Sequence, residues 1–170
     1  QTAWLKKYYI KEFICAILNN RLNKIDEITK YVLYLKEKGL KVFPPDINRS
    51  KTVFSVENDG VRFGLSALKG TGQAAIDLVI QERNAHGQFT DFPDFISRCA
   101  TLLNKRMIEG LINAGAFDSM GVHRSQLILV YDSLYQRAVS IAKQKNSAQM
   151  SLFGDIIEEE KLTVNYPDVP

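Results

Sequence analysis

The amino-acid sequence predicts a mainly α chain interrupted by one small β-hairpin. Three observations carry that expectation. Apolar residues recur at three- and four-residue spacing over most of the chain, the period of a helix with one buried face. Strict alternation is confined to a short stretch around residues 52–63. Pro44-Pro45, Gly70, Gly72, Gly87, Gly115 and Gly121 fall between the helical stretches rather than within them.

Taken in order, the first helix is expected over Ala3 to Leu18, with Leu5, Tyr8, Tyr9, Phe13, Ile17 and Leu18 setting its period and Asn19-Asn20 ending it. A second starts with Asn23 as N-cap and buries Ile25, Ile28, Val32 and Leu35. Gly39 stops it from the C′ position, and Lys36, Lys38 and Lys41 crowd its negative end. Val42-Phe43 is short and extended, and Pro44-Pro45 forbids a helix there. Thr52 to Val56 and Val61 to Phe63 alternate as strands around the turn Asn58-Asp59-Gly60. Helices follow at Leu65 to Lys69, Gln73 to Arg83, Phe92 to Cys99, Lys105 to Asn113 and Arg124 to about Lys143. From Lys145 onward the apolar pattern fades, and the acidic run 158–160 with the end at Pro167 to Pro170 reads as an exposed tail.

Composition narrows the function classes. At 170 residues, 45% hydrophobic and 24% charged, the chain is an ordinary globular one. Its net charge of +3 is too small to indicate a nucleic-acid partner by itself. No apolar run reaches membrane-spanning length, so no membrane partner is expected. Cys15 and Cys99 sit among apolar neighbours as inert thiols, and His86 and His123 lack the spacing of a zinc site. The chain opens at Gln1 with neither an initiator Met nor a signal peptide, which leads to the expectation of a piece of a larger cytoplasmic protein.

The most informative stretch is Leu65 to Ile76. It resembles the helix-hairpin-helix motif: a short apolar helix, a turn with Gly70 and Gly72 around Thr71, and a second helix opening on Gln73, Ala74 and Ala75. A turn this tight needs residues that accept positive φ and admit close backbone approach. The N–H groups of Gly72, Gln73 and Ala74 have no partner in their own helix and suit a phosphate oxygen. A dinucleotide loop would need G-x-G-x-x-G after a parallel strand, which is missing. Residues 104–118 echo the pattern, with Gly115 in the turn before a helix that begins near Arg124. The resemblance therefore completes the fold class as a helical segment, a β-hairpin and a tandem helix-hairpin-helix domain. It implies DNA contacts from Lys69, Gly70, Thr71, Gly72, Gln73, Ala74, Lys105, Arg106, Gly115 and Arg124. Each of these cations equally suits a solvated helix face.

Several blocks together are similar to the bacterial DNA polymerase III alpha family: Ala3-Trp4-Leu5-Lys6 with Glu12 to Leu18, Gly39 to Asn48, Val61 to Gly70, Asn104-Lys105-Arg106 and Ala114 to Asp118. The likeness runs from about Ala3 to Gly154. It implies four parts: residues 1–50 as the end of a polymerase fingers domain, 51–64 as the hairpin, 65–145 as the tandem domain and 146–170 as the tail. It further implies that the metal-binding carboxylates of the parent, which would use Mg2+, lie elsewhere. Asp91, Asp94, Asp118 and Asp132 are dispersed, so this stretch is expected to hold no cofactor and to be inactive alone. Asp46 and Asn48 are read as turn-capping residues after Pro44-Pro45, with a nucleotide contact as the alternative.

Gln149-Met150-Ser151-Leu152-Phe153 resembles the sliding-clamp-binding peptide that this family carries beyond its hairpins. In such a peptide Leu152 and Phe153 would be the anchors, Gln149 the register residue and Ser151 a polar contact. The alternative is local packing of Leu152 and Phe153 on the helices. The expected partners are thus DNA, the sliding clamp, and the remaining domains and subunits of the polymerase. Two other readings stay open. A glycosylase-type enzyme would need Asp94 or Asp118 at a base pocket, and a structural adaptor would not touch DNA.

Overall fold

The computed structural model describes residues 2–150 and 161–169. Among them are seven α-helices and a three-stranded sheet, which makes the fold mainly α. The first lobe is built from α1 (Thr2–Tyr8), α2 (Ile10–Asn19), α3 (Ile25–Glu37) and the sheet. The predicted first helix is broken at Tyr9 (φ −131°, ψ 50°). No residue of α1 is buried. Lys24 rather than Asn23 occupies the cap position of α3, without a side-chain hydrogen bond. Gly39 (φ +73°) closes α3 as expected: its N–H donates to Lys36 O and the Leu40 N–H to Leu35 O, the paired bonds of a Schellman end.

The sheet departs from a lone hairpin. Strands β2 (Ser55–Glu57) and β3 (Gly60–Arg62) pair antiparallel around Asn58 (φ +50°), and β1 (Lys41–Phe43) adds to β3 in parallel, Val42 opposite Val61. Gly60 makes this possible, since a Cβ there would collide with the Lys41 carbonyl. Thr52 and Val53, expected in the strand, lie outside it because Thr52 is engaged elsewhere. Its carbonyl accepts from the Ser66 N–H (2.9 Å) and hydroxyl (2.6 Å), and its own hydroxyl bonds Asp77. Arg62 is buried and compensated by Glu57 (2.6 Å) and the Pro44 carbonyl (3.0 Å). Ile14, Leu18, Ile28, Leu35, Phe54 and Val61 form the core of this lobe.

The second lobe contains a 3-10 turn at Leu65–Ala67, then α4 (Gln73–His86), α5 (Phe92–Cys99), α6 (Lys105–Asn113), a second 3-10 turn at Asp118–Met120, and α7 (Arg124–Met150). Asp91 caps α5 and Asn104 caps α6, each accepting the N–H three residues on. Phe117 stands edge-on to Phe92 (5.0 Å) and Phe95 (4.8 Å) at the centre of a core to which α4, α5, α6 and α7 all contribute. Asp46 and Asn48 act as turn and tether. The Asp46 carboxylate accepts the Asn48 N–H (2.8 Å) and Arg49 N–H (3.1 Å), while the Asn48 amide exchanges two bonds with the Phe89 backbone. Arg83 reaches back to the Ile47 and Ser50 carbonyls, joining the lobes.

The expected exposed tail is corrected in two places. Residues 146–150 continue α7, and 161–169 lie against the second lobe. Leu162 is buried, Val164 and Tyr166 pack beside it, and the Thr163 and Pro167 carbonyls accept from Arg137 (3.2 Å) and Gln126 (2.9 Å). Alternate residues face the core, the period of an extended strap. No helix among the described residues is long and apolar enough to cross a membrane.

Candidate nucleic-acid interface

The first glycine turn is short and open. Leu68 leads into Lys69 and Gly70 (φ +86°), and Gly72 (φ −85°, ψ 135°) caps α4. Only Gly70 needs the left-handed region. The Thr71 hydroxyl donates to the Leu65 (2.9 Å) and Leu68 (2.7 Å) carbonyls, so it clips the turn shut. The amides of Gly72, Gln73 and Ala74 donate to no acceptor among the described residues, and no side chain caps them. Gln73 and Ala74 are exposed. Three donors therefore face solvent at the positive end of a 14-residue helix.

Helix α6 crosses this turn. A Cβ at Gly110 would lie 3.2 Å from the Lys69 carbonyl, and one at Gly72 would lie 3.3 Å from the Met107 methyl. That approach brings Arg106 to the Gly70 turn, its Nε 4.0 Å from where a Gly70 Cβ would be. Lys69, Gly70, Arg106, Glu109 and Gly110 line a shared cleft of about 480 Å3. Lys69 and Arg106 are exposed and make no ion pair among the described residues. Two cations from different hairpins thus meet at the Gly70 turn, which precedes the three open amides. The sequence named both residues, but their juxtaposition depends on Gly110 and Met107, which carried no visible signal.

The second turn is differently built. Gly115 (φ +84°) is buried and ends α6 with another Schellman pair, its N–H bonded to Ile112 O (3.0 Å) and the Ala116 N–H to Leu111 O (3.0 Å). The expected phosphate donor is therefore consumed, and α7 starts nine residues later, past the 3-10 turn and Gly121. Arg124 donates to the Asp118 carboxylate (2.9 Å) and the Asn113 carbonyl (3.1 Å). This hydrogen-bonded pairing holds the Asp118 carboxyl below its usual range and raises Arg124. Lys105 is likewise bound to Asp132 and stands over the Tyr135 ring (5.9 Å).

The remaining acids do structural work. Asp94 accepts the Thr90 N–H (3.0 Å) and pairs Arg98 (3.3 Å), and Asp91 caps α5. Among the described residues no cluster of three metal-ligating side chains occurs, and these carboxylates do not fit a two-metal site. Asp94 and Asp118, the acids a glycosylase would need, are held by arginines. Burial pushes the Cys15 and Cys99 thiols up to about 11 and about 12, as unreactive groups. Gln149 falls in the last turn of α7, with its side chain outside what is described; Ser151, Leu152 and Phe153 lie outside the described residues.

Comparison with known proteins places this geometry. A family model described as "Helix-hairpin-helix motif" matches residues 39–127. The chain is 36% identical to DNA polymerase III subunit alpha of Escherichia coli (strain K12) over 169 residues, covering 98% of this chain and 15% of that protein. It is 35% identical to the same subunit of Borreliella burgdorferi (98% and 15%) and 38% identical to that of Campylobacter jejuni (96% and 14%). The chain thus spans 14–15% of the length of these relatives, aligning nearly throughout with one segment of each.

Proposed function

Because the chain belongs to the helix-hairpin-helix family, we propose that it is a DNA-holding segment of a bacterial DNA polymerase III alpha subunit. It grips duplex DNA by the sugar–phosphate backbone and reads no base sequence. The observations that carry this reading are the open amides at Gly72, Gln73 and Ala74 and, at the Gly70 turn just before them, the cleft shared by Lys69 and Arg106. A phosphate oxygen seated there receives N–H donors and the α4 dipole, while the two cations neutralise the flanking charge. Nucleotide addition, with its Mg2+, belongs to other segments of such a subunit.

The test is a duplex-binding titration of the intact chain between 50 and 200 mM salt. Two unrelated duplexes should bind equally, with log affinity falling along a slope of about −2, near −0.9 for each neutralised phosphate. Sequence preference or indifference to salt would overturn the assignment.

Tethering to the sliding clamp rests on the peptide Gln149-Met150-Ser151-Leu152-Phe153. Two adjacent apolar anchors with a polar register residue form a compact hot spot. In calorimetric titration against the clamp, the double change Leu152→Ala, Phe153→Ala should abolish binding; unchanged heats refute the tether.

A further inference from the structure

The segment between β1 and β2 fastens both arms of the first hairpin. Thr52 holds the two at once. Its carbonyl accepts from the Ser66 N–H (2.9 Å) and hydroxyl (2.6 Å) in the 3-10 turn, and its hydroxyl donates to the Asp77 carboxylate of α4. Asp77 lies one turn along the helix from Gln73. The Lys51 carbonyl takes the Leu65 N–H (3.0 Å). Farther along α4, one guanidinium nitrogen of Arg83 donates to the Ile47 (2.9 Å) and Ser50 (2.8 Å) carbonyls. The Ile47 N–H in turn donates to the Ala116 carbonyl (2.8 Å), beside Gly115 of the second turn. The segment is itself well held. Asp46 caps its turn, and the Ser50 hydroxyl accepts the Asp46 N–H (2.9 Å) and donates to the Phe63 carbonyl (2.7 Å).

Helix α4 needs such fastening. Of its 14 residues, Ile76 and Val79 are buried. The tie from α5, Arg98 to the Glu82 carboxylate (3.0 Å) and the Gly87 carbonyl (2.9 Å), reaches the end away from the open amides. A helix of this length spans about 20 Å, so a swing of about 10° about that far end carries the amides about 3 Å, the full length of a hydrogen bond. Given the hairpin as the DNA-holding site, we propose that residues 46–52 are a brace that aims the α4 amides at the phosphate, with Thr52 as the positioning residue. A binding group delivers its worth only when neighbouring bonds fix it to within a fraction of an ångström, and Thr52 is the residue that joins the two arms.

The discriminating experiment is a set of salt-titrated duplex anisotropy measurements on the whole chain, with the Lys69→Glu, Arg106→Glu chain as the control for the hairpin itself. Thr52→Val keeps the side-chain shape and the net charge but removes the hydroxyl. Below its unfolding midpoint it should bind about fivefold more weakly, with a salt slope shallower by about one, because one phosphate is no longer neutralised. Thr52→Ser restores the hydroxyl and should bind like the parent. Asn48→Ala frees the Phe89 backbone just beyond α4 without a charge change. It should weaken binding about threefold, and it carries the test if the Val chain fails to fold. A Val chain that melts earlier yet binds like the parent makes Thr52 merely structural and overturns the proposal. A loss with an unchanged salt slope makes the hydroxyl a direct contact and overturns it too, as does an equal loss in the Ser chain. A control that binds like the parent removes the hairpin reading and the brace together. A control that falls roughly a hundredfold while the Val and Ala chains bind normally removes the brace alone.

Discussion

The two glycine turns of the second lobe carry nearly the same residue types and use them in opposite ways. At the first, Gly70 bends the chain with Lys69 and Arg106 at the turn, Thr71 locks it, and the amides of Gly72, Gln73 and Ala74 find no acceptor among the described residues. At the second, the Gly115 amide closes α6, and Arg124 is held by Asp118 and by the Asn113 carbonyl. One turn leaves its donors open; the other is a splice between helices. What separates them is where the carboxylates lie. Asp118 and Asp132 neutralise the second turn's cations, and Lys69 and Arg106 meet no such partner among the described residues. A glycine turn with a nearby cation therefore identifies a helix-hairpin-helix motif without identifying which copy keeps its donors open.

The largest expected effect sharpens that contrast. Lys69→Glu with Arg106→Glu should lower duplex affinity roughly a hundredfold at low salt, about tenfold per charge-assisted contact, and flatten the salt slope by about two. Lys105→Ala and Arg124→Ala should each change affinity less than about twofold, within the small worth of exposed charges. An equal loss at Arg124 in the same titration would erase the asymmetry.

Stability separates the turns next. Gly115→Ala puts a Cβ at φ +84° against the Arg124 guanidinium and the Asp118 carboxylate, and should cost about 2 kcal/mol in urea unfolding. Gly72→Ala, at φ −85° with only the flexible Met107 end nearby, should cost less than about 0.5 kcal/mol. If the two substitutions destabilise equally, the different backbone demands of the turns are wrong.

The smallest effect probes the ion pair itself. Asp118→Asn should destabilise by less than about 1 kcal/mol, because the pair is half-exposed and screened. It also frees Arg124, so the salt slope should steepen by up to about one. The pH dependence has a fixed sign. With the folded carboxyl held below its ordinary 3.8, the contribution is complete above that value and disappears as pH falls through the lower folded one. Acid titration of stability should show this limb in the parent and lack it in the Asn variant.

Much of the fold is legible in local chemistry. The bounds of α5 and α6 follow from Asp91 and Asn104, polar caps placed before amphipathic runs, and Gly39 ends α3 where its φ is positive. The 3-10 geometry at Leu65–Ala67, the third strand and the strap are less legible, because each is stabilised by partners distant in sequence. Thr52 leaves its strand for Ser66 and Asp77, and β1 pairs with β3 only because Gly60 has no side chain. The strap's alternation at Leu162, Val164 and Tyr166 was visible, but an acidic run before it pointed to solvent.

The sequence by itself determined the helical class, the glycine turns and the family, since these rest on periodicity, caps and φ preferences that act within a few residues. Only the tertiary structure decided which hairpin keeps its donors. Whether an amide or a guanidinium is free depends on what folding brings within 3 Å of it, and Asp118, Asp132 and α6 are placed by packing rather than by local spacing.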